Sequence, residues 1–383
     1  MFAFSQLPPL ALYVHLPWCI KKCPYCDFNS HAVSGDLPEQ SYIAALIQDL
    51  EQELPLVWGR RISSVFIGGG TPSLFSPDAI DQLLCAIRAR LPLLPSAEIT
   101  LEMNPGTVDA GHLPGYFQAG INRLSVGVQS FDDAALQRIG RVHNAGQAVK
   151  TIEQAQQAGF ENINLDLMFA LPGQTPATAA EDVRRAVQLG PTHISYYHLT
   201  IEQNTYFYHH PPVLPEDDDA WDIQAKGQEA LAAAGYAQYE VSAYARQGFQ
   251  CKHNLNYWRF GDYIGIGAGA HGKISNAQFQ FIERRIKHRN PQAYIDAVEK
   301  LSSSEKLESY DMPFEFMLNA LRLKHGFDVT LFEQATGLPR TLLQPGLQKA
   351  SDQQLITLDG QSLHLTEKGE LFLNDVMALF LAD

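Results

Sequence analysis

The chain has 383 residues, of which 45% are hydrophobic, so it can bury a sizeable core, and we expect one large domain with a smaller companion. Its formal net charge of −14 argues against a nucleic-acid-binding protein, which needs a basic surface, and against adsorption to anionic membranes. No apolar run approaches the roughly 18 residues expected of a membrane-spanning helix, so we also expect a soluble protein.

From the N-terminus to about residue 241, short β-branched segments alternate with amphipathic helical ones. The predicted strands are Leu12–Leu16, Ile62–Ile67, Glu98–Glu102, Arg123–Val128, Asn162–Met168 and His193–His198, with Tyr236–Val241 as a weaker candidate. Gln40–Leu54 shows apolar residues at helical spacing. About six strand and helix units without a dinucleotide fingerprint predict the α/β class, as an open partial (β/α)6-type parallel barrel.

The C-terminal part of the chain has a different character. A proline-rich and then acidic stretch at 211–219 predicts a helix that begins at Ala220. Serines 302–304 mark a change to mostly helical sequence, so the predicted domains are 1–300 and 301–383. The elements predicted after this point are helices Asp311–Leu323, Val329–Thr336 and Arg340–Asp352, a hairpin of Leu355–Leu358 and Ser362–Leu365, and a helix Glu367–Leu381. This order is typical of a winged-helix-like module, and the acidic balance favours a packing cap on the barrel over a nucleic-acid reader.

Three of the five cysteines, Cys19, Cys23 and Cys26, lie close together in a C-x3-C-x2-C run. Three thiolates can hold a [4Fe–4S] cluster and leave its fourth iron open to a substrate or cosubstrate. An odd number of cysteines in a large protein disfavours a disulfide framework. Structural zinc is an alternative, because C-x2-C pairs occur in zinc sites and His15 and His31 flank the run. Unpaired cysteines and an oxygen-labile cluster predict a cytoplasmic location.

The cysteine run follows a predicted strand near the start of the chain and resembles the cluster motif of the radical S-adenosylmethionine (SAM) superfamily, C-x3-C-x-aromatic-C, with Tyr25 as the aromatic residue. The resemblance implies that the amino and carboxylate groups of SAM chelate the open iron, and that one electron cleaves SAM to a 5′-deoxyadenosyl radical. It also implies an electron donor such as flavodoxin or ferredoxin.

Further polar residues lie where predicted strands end, which is where chemistry gathers in parallel barrels. Gly68–Gly70 follow one strand, and successive glycines let the backbone approach a ligand closely. Asp166 interrupts an apolar strand, and a buried aspartate is costly unless it is bonded. In type and order, the set resembles the branch of oxygen-independent coproporphyrinogen III dehydrogenase (HemN). The resemblance implies these cluster and cofactor residues: Tyr13, Cys19, Cys23, Tyr25, Cys26, Gly69, Gly70, Thr71, Glu102, Gln129, Arg141 and Asp166.

The sequence departs from the dehydrogenase pattern in two places. That pattern has a fourth cysteine two residues after the third, where this chain has Phe28, and a longer N-terminal extension. Cys23-Pro24-Tyr25-Cys26-Asp27-Phe28 is similar instead to the HemW family of haem chaperones. The run from His253 to Trp258 also resembles the haem-associated motif of that family, which implies His253 as a haem-binding residue, since imidazole is a normal axial ligand of haem iron.

The resemblance therefore implies a haem chaperone that binds a [4Fe–4S] cluster, SAM and haem, and hands haem to an acceptor protein such as a respiratory enzyme. The alternative is an enzyme, either the dehydrogenase or another radical SAM enzyme acting on a tetrapyrrole, and a zinc-stabilised scaffold is a third possibility. On the residues alone, a histidine among aromatic residues is more often a hydrogen-bonded core residue than a ligand. His271 is a second candidate for the axial ligand. Cys85 is expected to be a buried small hydrophobic residue, and Cys251, two residues from His253, is expected to be a free structural thiol, with assistance to haem as the alternative.

Overall fold

The computed structural model describes residues 2–106 and 111–382. Its strands, in chain order, are β1 (Leu10–Leu16), β2 (Trp18–Cys19), β3 (His31–Ala32), β4 (Ile62–Gly69), β5 (Leu93–Met103), β6 (Arg123–Gln129), β7 (Ile163–Phe169), β8 (His193–His198), β9 (Ala237–Glu240), β10 (Ala243–Ala245), β11 (Asp262–Ile266), β12 (His271–Asn276), β13 (Phe281–Lys287), β14 (Leu301–Lys306), β15 (Phe327–Asp328), β16 (Ile356–Asp359) and β17 (Ser362–Leu365). Every strand predicted from the sequence is present, with ends shifted by a few residues.

The α-helices are α1 (Glu39–Val57), α2 (Pro77–Arg90), α3 (His112–Ala119), α4 (Asp133–Arg138), α5 (Ala145–Gln157), α6 (Pro176–Gln188), α7 (Tyr206–His209), α8 (Asp217–Ala233), α9 (Lys252–Trp258), α10 (Pro291–Asp296), α11 (Met312–Ala320), α12 (Thr330–Thr336), α13 (Gln344–Asp352), α14 (Glu367–Leu371) and α15 (Leu373–Ala378). Short 3-10 turns lie at Pro72–Leu74 and Arg340–Leu343. Within the described ranges, none of the helices is long and apolar enough to cross a membrane.

A single large sheet organises the barrel. In the described part of the chain it has twelve strands in the order β14-β13-β12-β11-β1-β4-β5-β6-β7-β8-β10-β9. From β11 to β8 all neighbours pair in parallel, and helices connect most of these strands, so the predicted open, partial parallel barrel is confirmed. The antiparallel strands β12–β14 on one edge and β9–β10 on the other extend the sheet beyond the six predicted units.

Side chains alternate along the parallel strands, because successive residues of a strand point to opposite faces. The outward residues are aliphatic and pack against the helices in the main core, as Leu124, Val126 and Val128 of β6 do. The inward residues are mostly polar or aromatic: Tyr13, His15, Phe66, Glu102, Arg123, Ser125, Asn164, Asp166 and Ser195. The interior of this barrel is therefore lined for ligands and is not filled by aliphatic layers.

The C-terminal module has its own hydrophobic core, built on α11–α15 and the three-stranded sheet β15-β17-β16. Residues from far away join this core, including Phe2, Phe260 and Ile282. The predicted hairpin is confirmed, but the predicted last helix is broken at Phe372 into two short helices. Serines 302–304 belong to β14 of the large sheet, and α8 begins at Asp217, three residues before the predicted start. The boundary after residue 300 stays a prediction.

Candidate functional site

The three clustered cysteines lie on a loop that begins where the central strand β1 ends. Cys19 is on β2, which pairs in parallel with β3 and so brings the two ends of the loop together. The Cys26 amide donates to the Cys23 carbonyl at 3.1 Å, which folds the loop tip. Burial raises the pKa of the Cys19 thiol, and the thiols of Cys26 and Cys23 raise it further, so the three sulfur atoms act on one another at short range.

This arrangement bears on the choice between a cluster and zinc. In the ranges that the structure describes, no three His, Cys, Asp or Glu side chains are close enough together to bind a single metal ion. A cubane binds each thiolate through a different iron, so it tolerates more widely spaced sulfur atoms than a mononuclear zinc site does. Both ring nitrogens of His15 are already engaged, Nδ1 with the Tyr13 hydroxyl and Nε2 with the Asn29 carbonyl, each at 2.9 Å. The thiols therefore suit a cluster better than a zinc ion.

Next to these thiols lies a cavity of about 640 Å³. Nearly all the residues proposed from the sequence line it: Cys19, Cys23, Tyr25, Cys26, Gly69, Gly70, Thr71, Glu102, Gln129, Arg141 and Asp166. They come from the loop after β1 and from the carboxyl ends of β4, β5, β6 and β7, which is the edge where a parallel barrel gathers polar groups. Tyr13 and His253 do not line this cavity, which we call the cluster cavity.

Gly69 and Gly70, at the end of β4, are needed for the fold, because a side chain at either position would clash with neighbouring residues. Gly69 has φ of +115°, and a Cβ there would lie 2.6 Å from the His15 ring. A Cβ on Gly70 would lie 2.5 Å from the Trp18 carbonyl oxygen. The amides of Gly70 and Thr71 donate to the carbonyls of Leu16 and Trp18 at 2.8 and 2.7 Å. The glycines thus let β4 end directly against the start of the cysteine loop, which fixes that loop beside the cavity.

Within the described part of the chain, Glu102 and Asp166 are carboxyl groups that line the cluster cavity without a cation partner within 4.0 Å, whereas Glu240, which also lines it, pairs with Arg322 at 3.0 Å. Burial, and then the charge of Asp166, raise the pKa of Glu102 to about 7, although the Gly69 amide donates to its carboxylate at 3.0 Å. Burial also raises the pKa of Asp166, which accepts hydrogen bonds from Asn164 at 2.8 Å and from Ser125 at 3.4 Å. Glu102 therefore changes charge near neutral pH.

Arg141 and Gln129 complete this wall. The Arg141 guanidinium donates to Asn104 Oδ1 at 2.5 Å, to the Gly127 carbonyl at 2.6 Å and to Cys23 Sγ at 3.6 Å. It places a positive charge beside the Cys23 sulfur. Gln129 has φ of +70°, a rare value for a residue with a side chain, and such strain concentrates at functional sites. Its side-chain oxygen accepts from the Tyr197 hydroxyl at 2.7 Å.

A second cavity of about 540 Å³ adjoins the first and runs into the barrel. We call it the barrel cavity. It is lined by aromatic and basic residues: Tyr13, Phe66, Arg123, His253, Tyr257, Tyr263, His271 and Arg289. The two cavities share a wall that includes Phe28, Gly69, Glu102, Asp166 and Asn254. Tyr13 lines the barrel cavity and stacks against Phe66 with ring centroids 6.3 Å apart.

His253 lies on α9 and is 1% exposed. Its Nδ1 is 3.0 Å from the Ser64 hydroxyl and its Nε2 is 2.9 Å from the Tyr257 hydroxyl. Burial, and then the charge of Arg123, lower the pKa of His253 to about 3, so the ring is neutral at physiological pH. His271 is exposed on β12 and faces the same cavity. The axial-ligand role of His253 stays a prediction, since it requires one of these hydrogen bonds to open.

Several lining residues were not singled out by the sequence analysis, notably Arg123, Asn164 and Ser195. Their signal was available, because polar residues alternate with aliphatic ones along β6, β7 and β8. Asn29 gave no such signal: its amide donates to the carbonyls of Ala268 and Arg289 at 2.9 and 2.8 Å and so ties the cysteine loop to the barrel cavity. The expectation that Cys85 is buried is wrong, since it is exposed on α2. Cys251 is a free thiol, and the structure buries it.

Comparison with known proteins identifies the family. The profile of the Radical SAM superfamily matches residues 13–186, and that of the HemN C-terminal domain matches residues 307–372. The chain is 48% identical to Heme chaperone HemW of Escherichia coli (strain K12) over 99% of this chain and 100% of that protein. It is 49% identical to Heme chaperone HemW of Haemophilus influenzae over 99% of each chain. The chain belongs to the HemW family.

The fold of this HemW-family chain also has a solved counterpart. The structure described as coproporphyrinogen III oxidase (HemN) from Escherichia coli superposes with a TM-score of 0.82, at 23% identity, over 98% of this chain and 91% of that chain. The likeness confirms the radical SAM α/β fold with an open sheet and a C-terminal helical region. Membership of the HemW family within the radical SAM superfamily implies a [4Fe–4S] cluster and SAM as cofactors.

Glu102 offers a direct test of the cluster cavity as the SAM site. Losing a hydrogen bond to a charged group costs about 1.5–3 kcal/mol, so Glu102→Ala should weaken SAM binding about tenfold or more. The iron content should not change, because Glu102 is not a thiol ligand. Calorimetric titration of SAM into the reconstituted protein measures the effect, and unchanged affinity would remove Glu102 from the site.

The same residue should make SAM binding depend on pH. A carboxyl group with a pKa of about 7 is mostly neutral at pH 6 and mostly ionised at pH 8. If the ionised form accepts the ribose hydroxyls, SAM affinity should rise with pH and be about tenfold lower at pH 6 than at pH 8. Glu102→Gln should lose this component of the pH dependence, and its persistence in that variant would assign it to another group.

Proposed function

We propose that the protein is a haem chaperone of radical SAM type, which binds a [4Fe–4S] cluster, SAM and haem and transfers haem to an acceptor protein. The observation that carries the proposal is the 48% identity to Heme chaperone HemW over the whole length of both chains. The presence of two adjoining cavities supports it, because a cofactor beside the cysteines still leaves the barrel cavity free for a second, planar ligand.

In this proposal Cys19, Cys23 and Cys26 hold the cluster. When bound, such a cluster supplies an open iron and a single electron for SAM. Residues of the protein itself hold SAM. Glu102 and Asp166 accept hydrogen bonds from the ribose, and the loop at Gly69–Thr71 receives the methionine end of SAM. Two tyrosines are also proposed to contact a cofactor. Tyr25 lies beside the thiols, and Tyr13 lies at the border of the barrel cavity.

Haem is proposed to occupy the barrel cavity. Tyr13, Phe66, Tyr257 and Tyr263 offer aromatic surface for a planar macrocycle. His253 is the proposed axial ligand, since its lowered pKa keeps the imidazole in the neutral form that binds iron. Rotation of the Tyr257 hydroxyl away from Nε2 would free the lone pair for the metal.

The proposed partners follow from the same function. We propose an acceptor of haem, such as a respiratory enzyme, and an electron donor such as flavodoxin or ferredoxin for the cluster. The net charge of −14 gives no support to a nucleic-acid partner. A reducing cytoplasm is the proposed location, since the thiols at Cys19, Cys23 and Cys26 are all free.

An anaerobic comparison of two activities tests the proposal. Titration of reconstituted protein with haem should produce a Soret band, and loaded protein should pass haem to a haem-depleted acceptor. His253→Ala should shift the Soret band or weaken binding, because it removes the proposed ligand. His209→Ala, on α7 and outside both cavities, is the matched control, and His271→Ala tests the second candidate ligand.

In the parallel assay, protein with SAM and reductant should leave coproporphyrinogen III unconverted. The structural similarity to HemN does not favour conversion of coproporphyrinogen III, because a similarity at 23% identity is evidence for the fold and not for the reaction. Sustained conversion, together with haem binding by His253→Ala that equals the wild type, would replace the chaperone with the dehydrogenase. Haem binding that fails only in His271→Ala would move the axial ligand to that residue.

A further inference from the structure

Arg123 is the first residue of β6 and points into the barrel cavity. It is 2% exposed and is among the largest fully buried side chains of the protein. A guanidinium remains charged at any physiological pH, so burial leaves a full positive charge inside the barrel. Such a charge is costly unless hydrogen bonds or an anion compensate it.

Among the described residues, no hydrogen bond and no ion pair within 4.0 Å engages the Arg123 guanidinium, and its Nε is buried without a partner. In the described ranges, two other buried cations have carboxylate partners, and a third, Lys300, donates to three backbone carbonyls. Lys273 lies 2.9 Å from Asp262, and Lys287 lies 2.5 Å from Asp49. Arg123 is therefore an exception in need of a partner.

In the part of the chain that the structure describes, the acidic groups near Arg123 accept hydrogen bonds from other donors and make none with its guanidinium. Glu98 accepts from the Cys251 thiol at 3.5 Å and from the His253 amide at 3.3 Å. Asp166 accepts from Asn164 and Ser125. These carboxylates act on Arg123 from a distance and favour its charged form, but they do not cap its donors. The free donors face the cavity.

We infer that Arg123 binds a carboxylate of the ligand that enters the barrel cavity, and, resting on the proposed function, that this carboxylate is a propionate of haem. A guanidinium presents paired N–H donors that match the two oxygens of a carboxylate. An apolar ligand would leave the charge uncompensated. The buried cation thus selects for a macrocycle that carries an acid on its edge.

SAM at the cluster is an unsuitable source of this carboxylate. The cluster cavity reaches along β6 as far as Ser125, two residues from Arg123, but the thiols lie beside the other end of the strand, where Arg141 donates both to the Gly127 carbonyl at 2.6 Å and to Cys23 Sγ at 3.6 Å. A SAM carboxylate near the thiols lies at the far end of this strand. The anion that reaches Arg123 must belong to a ligand extending deep into the barrel.

The test compares iron protoporphyrin IX with its dimethyl ester, in which both propionates are masked. Wild type should bind the free acid at least about tenfold more tightly than the ester, since a charged hydrogen bond is lost. In Arg123→Met this preference should fall by about tenfold or more. Arg88→Gln removes an exposed guanidinium outside both cavities, which donates to the Ala119 carbonyl at 2.9 Å, and should keep the wild-type preference.

A second measurement separates ligand binding from a structural role. Haem-free Arg123→Met should melt close to the wild-type temperature, because the substitution breaks no hydrogen bond and no ion pair within 4.0 Å among the described residues. SAM affinity should be unchanged. A large fall in the melting temperature of this variant would mean that Arg123 supports the fold, and would overturn the inference.

The outcomes distinguish this inference from the proposed function. If wild type binds neither porphyrin, the haem proposal itself fails. If wild type binds acid and ester equally, or Arg123→Met keeps the full preference for the acid, haem binding stands and the role of Arg123 is overturned. If the variant loses SAM affinity while it keeps that preference, Arg123 serves SAM and the inference is again wrong.

Discussion

Replacing Cys23 by alanine will leave a protein that retains almost none of the wild-type iron and labile sulfide and lacks its brown absorption. Two remaining thiols hold a cubane poorly, and the other two cysteines of the chain cannot substitute. Cys85 is exposed on α2, and Cys251 is buried, where burial raises its pKa to about 12. Cys19→Ala and Cys26→Ala should behave in the same way. Iron and sulfide analysis after anaerobic reconstitution measures the loss.

Cys85→Ala is the matched control for this prediction, because it removes one thiol without touching the loop. It should reconstitute like the wild type. A full cluster in Cys23→Ala would disprove the assignment of the ligands. Stoichiometric zinc without labile sulfide in the purified wild type would instead revive the zinc-stabilised scaffold.

Lys287→Met should strongly destabilise the protein. The Lys287 ammonium lies 2.5 Å from Asp49 and 2.6 Å from Glu53, and all three side chains are buried, with exposures of 1%, 0% and 3%. Without the ammonium, the two buried carboxylates lie close together and lose their shared cation. Removing one partner of a buried ion pair lowers the free energy of unfolding by about 3–5 kcal/mol. The midpoint of denaturant unfolding and the melting temperature, both measured anaerobically, should fall accordingly.

Lys324→Met provides the comparison, since it breaks an ion pair with Glu370 in which the side chains are 35% and 36% exposed. An exposed pair contributes about 0–1 kcal/mol, so this variant should stay close to the wild type. Equal effects of the two substitutions would show that burial does not set the strength of the Lys287 cluster. Asp49 also accepts from the Gly267 amide at 3.1 Å, so Lys287→Met should loosen the glycine loop beside the barrel cavity as well.

The sequence was most informative where chemistry and local pattern coincide. Three features stand out from the apolar strands around them: the C-x3-C-x2-C run, the glycine run and Asp166. The structure brings all of them to one cavity. The alternation of strands and helices predicted the parallel barrel, because the spacing of the apolar residues shows both the strand period and the helix period. The roles of these residues remain predictions.

The sequence was less informative where long-range packing decides. β12–β14 carry charged or polar residues, as in Glu283–Arg285, and the partner of Arg285 outside its own strand is Glu53 of α1, which only the folded chain brings close. Arg123 looked like the polar start of a strand, and only the arrangement of its neighbours shows that it lacks a partner. The motif predicted His253 as a haem ligand, but it did not predict the hydrogen bonds that the ring forms with Ser64 and Tyr257. The partner Ser64 is distant in sequence and becomes a neighbour only in the folded chain.

The position of β1 has a consequence for how the protein is made. This strand is completed at Leu16, yet it lies between β4 and β11, and β11 does not begin until Asp262. At roughly 5–20 residues per second, the nascent chain carries an unpaired edge of β1 for on the order of tens of seconds. Phe2 remains unpacked for longer still, because most residues of its core lie beyond residue 310. The cysteine thiols follow directly on that unpaired strand, so the half-synthesised chain on the ribosome is the stage most exposed to aggregation and to thiol oxidation.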